Sequence, residues 1–312
     1  MPANRLPHFA PAPRETASTP SMAYAGAPSY NGSVPIRLIA VDIDGTLLDS
    51  HWKIPEANQL AIARAVDCGI EVALVTGRRF DFARPISLQL GCPITMIVNN
   101  GAVVKSSGGE TQLRHLLPAA EARRVLAATT EFRDGTAVVF DRPQAEQVIF
   151  ERMNWEDPHR RGYYERNKEY IAFCTPLENC LTEDPIQVMY SGTVKSTRET
   201  AATLRRLNSS NQFALAITEY EARDFALADV VHPSVSKGAT LAEWATRQGY
   251  HREEVMAIGD NLNDREMLEY AGMPIVMGNG VAELKTTGWR ETLSNDEAGV
   301  AHAICAYALG DA

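Results

Sequence analysis

Apolar residues fall along the chain in two rhythms. Short, nearly continuous apolar runs occupy residues 36–44, 70–75, 94–98, 254–258 and 274–277. Runs of this length without alternation read as strands buried on both faces, as in a parallel sheet. Between them lie helical stretches. The segment 55–68 opens on Pro55, a first-turn residue, and stops at Gly69; 236–247 starts from Ser236 as N-cap and ends near Gly249; 264–270 is a third. Strand–helix–strand alternation of this kind predicts an α/β fold, a doubly wound parallel sheet built from right-handed crossovers.

The rhythm changes between residues 102 and 233. Short strand candidates at 137–140, 186–190 and 213–217 are interleaved with polar helix candidates at 119–129 and 197–207, which predicts a small, mostly antiparallel α+β unit. An interruption of that length is far beyond a connecting loop, so it is expected to be a domain. The expected organisation is a core from 36–102 and 234–312, with an inserted α+β domain over 103–233. Residues 1–35 are rich in Pro, Ala and Ser without periodicity and are expected to be a disordered tail. Arg5 and Arg14 against Glu15 give it a faint transit-peptide character, and Met22 offers a later start, but a plain tail is the expectation.

Composition narrows the function. Of 312 residues, 45% are hydrophobic and 22% charged, as in a soluble globular protein, and the net charge of −9 gives no general attraction to nucleic acid or anionic membrane. No apolar run approaches the ~20 residues of a membrane helix. The five cysteines are scattered without metal-ligand spacing, which argues against a disulfide framework and for a reducing, cytoplasmic setting. Nothing in the sequence speaks to oligomeric state.

Four polar clusters sit at predicted strand ends or helix starts: Asp42-Ile-Asp44-Gly-Thr46, Thr76-Gly77, Ser236-Lys237-Gly238, and Gly259-Asp260-Asn-Leu-Asn263-Asp264. Ligands in open parallel sheets bind just past the carboxyl ends of the strands, so the clusters describe a single site. Asp42, Asp44 and Asp260 would repel one another without a cation, and oxygen-only ligands favour Mg2+ over Zn2+. Thr76 supplies a hydroxyl, Gly77 an unobstructed N–H, and Lys237 a positive charge at a helix start, a set suited to a phosphoryl group. Each cluster alone could be a capped turn; their order and placement together point to chemistry. Gly278-Asn-Gly280 reads as a turn, and the basic-aromatic stretch 159–166 as a solvated face of the inserted domain.

Asp42-Ile-Asp-Gly-Thr-Leu-Leu, Thr76-Gly-Arg, Lys237-Gly and Gly259-Asp-Asn-Leu-Asn-Asp resemble the four motifs of the haloacid dehalogenase-like hydrolases. Val98-Asn-Asn-Gly-Ala, Glu266-Met-Leu-Glu-Tyr-Ala-Gly, Met277-Gly-Asn and Ser294-Asn-Asp-Glu-Ala-Gly-Val narrow the resemblance to the Cof-type phosphatases. It covers 36–102 and 234–312; the tail departs from the family pattern. It implies a Rossmann-like core with a cap domain inserted, and Mg2+-dependent hydrolysis of a small phosphorylated metabolite, a sugar phosphate by preference, through a phospho-aspartate. By the same resemblance Asp42 is nucleophile and metal ligand, Asp44 the general acid and base whose backbone carbonyl also binds metal, and Asp260 the third protein ligand. Thr76, Gly77, Lys237 and Asn263 hold phosphate, and Asp264 supports the metal site indirectly. A phosphomutase of similar architecture and a catalytically idle phosphate sensor are the competing readings.

Overall fold

The computed structural model describes residues 34–143 and 145–310; the expected tail lies outside the described residues except for Val34 and Pro35. The first core segment runs β1 (Leu38–Val41), α1 (Glu56–Asp67), β2 (Glu71–Val75), α2 (Phe80–Gln89), β3 (Thr95–Val98), β4 (Val103–Ser106) and β5 (Thr111–Arg114). The insertion follows as α3 (Ala119–Ala128), β6 (Thr136–Val139), β7 (Val148–Phe150), α4 (Pro158–Asn167), β8 (Ile171–Phe173), β9 (Gln187–Gly192), α5 (Val194–Leu207), β10 (Ala214–Tyr220) and β11 (Phe225–Val231). The chain returns with α6 (Lys237–Arg247), β12 (Val255–Gly259), α7 (Arg265–Tyr270), β13 (Met273–Val276), α8 (Ala282–Lys285), β14 (Arg290–Glu291) and α9 (Gly299–Ala303).

The large sheet has the order β14-β13-β12-β1-β2-β3-β4-β5, parallel from β14 to β3. Its central strands are apolar because helices cover both faces: Ala61 and Ile62 of α1 pack on one side, Leu241, Trp244 and Leu268 of α6 and α7 on the other. All four residues of β1 are buried, and each large one such as Leu38 or Ile39 contributes ~1.5–3 kcal/mol by leaving water. The chain winds outward from β1 to β2 and β3, then returns to β12 on the other side of β1. The crevice where winding reverses therefore opens at the carboxyl ends of β1 and β12.

The inserted unit is a six-stranded sheet, β10-β11-β9-β6-β7-β8, antiparallel except between β7 and β8. Helices α3 and α5 cover one face through Val125, Leu126 and Leu204, against Val188, Ala228 and Val230. The sheets divide the chain differently from the boundary expected at residue 103. Strands β4 and β5 form a hairpin hydrogen-bonded to the edge of β3, so 103–114 extend the large sheet. Val103 and Val104 are buried by that pairing, and a two-strand antiparallel extension leaves no crossover helix in the sequence to announce it. The 159–166 stretch also departs from a purely solvated face. Arg161, Glu165 and Arg166 are exposed, but Tyr163 and Tyr164 pack against the core and Arg160 pairs with Asp134 at 2.8 Å. Among the described residues no helix is long and apolar enough to cross a membrane, and all five cysteines are free.

Candidate active site

Asp42 is the first residue beyond β1, and its backbone N–H still donates to Ile258 of β12, which fixes it at the crevice. The chain then turns tightly through 43–47. Gly45 has φ of +82°, and a Cβ there would stand 2.4 Å from Oδ2 of Asp260, so the turn requires glycine twice over. Thr46 donates its hydroxyl to Asp260 Oδ1 at 2.9 Å, tying the end of β1 to the end of β12. The turn around Asn279 has a role beyond reversal: its amide donates to the Gly45 carbonyl at 2.8 Å and accepts from the N–H of Asn295.

Lys237 begins α6, whose N-cap Ser236 accepts from the Ala239 N–H at 3.0 Å. Its buried ammonium donates to Asp42 Oδ1 and to Asp264 Oδ1, both at 2.6 Å. Asp264 Oδ2 accepts from the N–H groups of Asp260 and Asn261 at 3.0 and 3.1 Å. Asp264 is thus saturated by its neighbours and shapes the loop after β12. Oxygens of Asp42, Asp260 and Asp264 lie within 4.8 Å of one another.

The charges in this cluster are unbalanced. Burial, then Asp264, pushes the Asp42 carboxyl well above the usual range, and Lys237 only partly offsets this. Burial, then Asp264, likewise pushes Asp260 up to about 7. Burial opposes the charge on Lys237, but Asp264 and Asp42 outweigh it and hold the ammonium above its ordinary value. Three carboxylates with one lysine between them, all oxygen donors and without His or Cys, suit a hard divalent cation.

The side chain of Asp44 does not join this cluster. It turns to Arg78, whose Nε and Nη2 donate to Oδ2 and Oδ1 at 2.8 and 2.6 Å. A planar guanidinium offers Asp44 two matched bonds that a third carboxylate could not. Thr76 is buried at the end of β2, and its hydroxyl oxygen accepts from the Arg78 N–H at 3.1 Å, leaving its proton to be donated elsewhere. A Cβ on Gly77 would stand 2.9 Å from Oδ1 of Asn100, so any larger residue here would displace that side chain.

Asp42, Asp44, Thr76, Gly77 and Asn263 line a single cavity of about 130 Å³. Lys237 and Asp260 are not part of its lining: Lys237 is bonded to Asp42, which is, and Asp260 to Thr46. The open face of the inserted sheet forms the opposite wall with Thr218, Tyr220, Leu227 and Asp229. Their two-residue spacing on β10 and β11 carries these four to one face, while Leu215, Ile217, Ala228 and Val230 point to the helices. None of the four, nor Arg78 or Asn100, was singled out as a site residue in the sequence.

Asp229 is buried and joins the two units. Its Oδ2 accepts from Asn100 at 3.1 Å and its Oδ1 from Gln187 at 2.8 Å, and Gln187 in turn accepts from Asn99 at 3.3 Å. Burial pushes its carboxyl up to about 7 from an ordinary 3.8, against the Asn100 hydrogen bond. The folded state therefore holds this proton more tightly than the unfolded chain. Its ionisation costs nothing below about pH 4 and progressively more stability up to about pH 7. Asp229→Asn is expected to flatten that loss, by a few kcal/mol in order of magnitude. Urea unfolding of both proteins at about pH 5 and about pH 8 reads the difference.

The profile of the haloacid dehalogenase-like hydrolases matches residues 39–304. Phosphatase YwpJ of Bacillus subtilis is 28% identical over 286 residues, covering 86% of this chain and 99% of that protein. The 5-amino-6-(5-phospho-D-ribitylamino)uracil phosphatase YcsE of the same organism is 29% identical over 278 residues, with 88% and 97% covered. A solved haloacid dehalogenase-like hydrolase from B. subtilis shares the fold with a TM-score of 0.72 and 25% identity, over 86% of this chain and 99% of that one. With the profile spanning both core segments and the insertion between them, the chain belongs to the haloacid dehalogenase-like hydrolases.

Proposed function

We propose that this phosphoric monoester hydrolase acts on a small phosphorylated metabolite through a phosphoryl group carried on Asp42. The observation that supports it most is the setting of Asp42. Lys237 holds one carboxylate oxygen, and the cavity that Asp42 lines is lined also by Thr76 and Gly77, donors suited to phosphoryl oxygens. An Asp42 oxygen attacks phosphorus and the ester P–O bond breaks, with the leaving oxygen taking a proton from Asp44. Asp44 then takes a proton from water, whose oxygen attacks the same phosphorus and frees Asp42 and orthophosphate. Both oxygens of Asp44 accept from Arg78 as described above, so delivering a proton requires this side chain to leave the guanidinium. Lys237 has one N–H beyond those given to Asp42 and Asp264; in this reading that N–H and Asn263 would hold phosphoryl oxygens.

Mg2+ fits the residues present. Asp42, Asp260 and the Asp44 carbonyl would hold it, and it would neutralise charge on the transferring group. The wall from the inserted unit sets the leaving group. Thr218, Tyr220 and Asp229 offer hydroxyl and carboxyl partners for the hydroxyls of a sugar or sugar-alcohol phosphate, consistent with the ribityl phosphate named for the relative YcsE.

A panel of phosphorylated metabolites assayed with Mg2+ and with chelator tests the reading. Phosphate release is expected for polyhydroxylated phosphomonoesters, to vanish with chelator, to return with Mg2+, and to be poorly supported by Ca2+, whose longer and looser coordination misplaces the nucleophile. Full activity in chelator would overturn the metal site. Net transfer to a second hydroxyl without phosphate release would overturn hydrolysis in favour of a mutase.

A further inference from the structure

Two short connections join the inserted unit to the core: residues 115–118 after β5 and residues 232–236 before α6. Each opens on a histidine. The rings of His115 and His232 stack on one another, with centroids 5.7 Å apart and planes inclined by 25°, and both residues are half-buried. The chain has no other covalent route between the two units, so a swing of the inserted sheet bends both connections. Strand β11, which brings Leu227 and Asp229 to the wall of the phosphoryl cavity, runs directly into His232.

The two rings stand in different surroundings. The His115 N–H donates to the Ala102 carbonyl at 2.8 Å, and its Nε2 lies 2.7 Å from Oε2 of Glu243 on α6. Burial opposes the charge on Glu243, but His115 and Arg247 outweigh it and hold that carboxyl below its usual range. A proton on His115 is therefore matched. His232 has no such partner: among the described residues no carboxylate lies within ion-pairing distance of it. Its Nδ1 accepts from the Ser234 N–H at 3.2 Å and lies 2.8 Å from the Ser234 hydroxyl, so a proton placed on Nδ1 would oppose that N–H. Burial, then His115, holds the His232 imidazole below its ordinary 6.5. The charged groups around the pair are Glu243 and Arg247 of α6, joined at 2.9 Å; Arg114, at the end of β5, turns instead to Asp141 at 4.0 Å.

We propose that the His115–His232 stack is a pH-sensitive hinge. With His232 neutral, it holds the two connections together and the inserted sheet over the phosphoryl site; with both rings charged, it forces them apart and opens that site. Separation returns His232 to water, where it takes up a proton at its ordinary value. Acid therefore favours the open form, and the shift sets in below about pH 6.5. Asp229 works in the other direction, since its proton removes a buried charge between the units and favours closure.

Small-angle X-ray scattering of the full chain at about pH 7.5 and about pH 5 tests the hinge, with a readout that does not depend on hydrolysis. Wild type is expected to expand reversibly by ~1 Å on the ~19 Å radius of gyration of a compact chain of this length. His232→Phe keeps a ring to stack but cannot be charged, and should stay compact at both pH values. Glu243→Gln removes the charge that matches a proton on His115 and should move the midpoint of expansion to lower pH, which a purely structural role for Glu243 would not do. Circular dichroism checks that each protein is folded. Should His232→Phe not fold, His115→Phe carries the test, because a charged His232 then has no charged ring to repel it. A wild type of constant size would overturn the hinge, as would one whose expansion is accompanied by loss of its circular dichroism. Equal expansion in the folded Phe variant, or an unmoved midpoint in Glu243→Gln, would overturn it too.

Discussion

Replacing Asp42 by Asn is expected to lower kcat by at least ~10⁴-fold while the protein stays folded and still binds orthophosphate. The amide keeps the shape of the carboxyl and can still accept from Lys237 through its carbonyl oxygen. It cannot form the acyl phosphate. Burial makes the change tolerable for the fold, because the Asp42 carboxyl already pays for its charge through Asp264 and Asp260 and is held far above its usual range. The melting temperature of Asp42→Asn in chelator should therefore equal or exceed that of wild type. Steady-state kinetics with an aryl phosphate, on protein checked for deamidation by mass spectrometry, measures the first effect. Retention of even a few per cent of activity would contradict the assigned nucleophile.

Lys237→Met should be damaging in a different way. The ammonium contacts Asp42 and Asp264 at 2.6 Å each, in a pocket where all three side chains are almost wholly buried. Removing it leaves two carboxylates facing one another, and breaking a buried ion pair from one side costs about 3–5 kcal/mol. Part of that cost should return with Mg2+, which would replace the missing positive charge. Activity should not return with it. By the proposed mechanism the third N–H of Lys237 would hold a phosphoryl oxygen, and losing such a donor costs ~10²–10³ in kcat. Denaturant unfolding with and without Mg2+, beside kcat at saturating Mg2+, separates the two roles. A variant as stable as wild type in chelator would show that Asp264 and Asp42 do not depend on this lysine.

The core elements were legible because each carries its own punctuation. The continuous apolar runs become β1, β2, β3, β12 and β13, and Ser236 caps α6 where its position predicts. The fold class follows from that alternation, and so does the location of the site, since Asp42, Thr76 and Asp260 all stand at carboxyl ends of parallel strands. Side-chain direction was less accessible. The chain turns immediately after Asp42, with Gly45 at positive φ, and Arg78 draws Asp44 away from the carboxylate cluster. Asp264 takes the place beside Asp42 and Asp260, in a position its i+4 spacing from Asp260 allows without declaring it. The wall opposite was hidden for another reason. Thr218, Tyr220, Leu227 and Asp229 become neighbours only when β10 and β11 pair, and no local signal tells which face of an antiparallel pair will look toward the core.

If the phosphoryl group passes through a covalent bond to Asp42, that bond can be trapped. The full chain is mixed with Mg2+ and substrate, quenched in acid during turnover, reduced with borohydride and mapped by mass spectrometry; an acyl phosphate is reduced to the alcohol, whereas a free carboxylate is not. Homoserine is expected in place of Asp42, dependent on substrate and Mg2+ and found at no other carboxylate of the site. Reduction at Asp44 or Asp260 instead, or an unmodified Asp42 in enzyme sampled during rapid turnover with a rate-limiting second step, would contradict it.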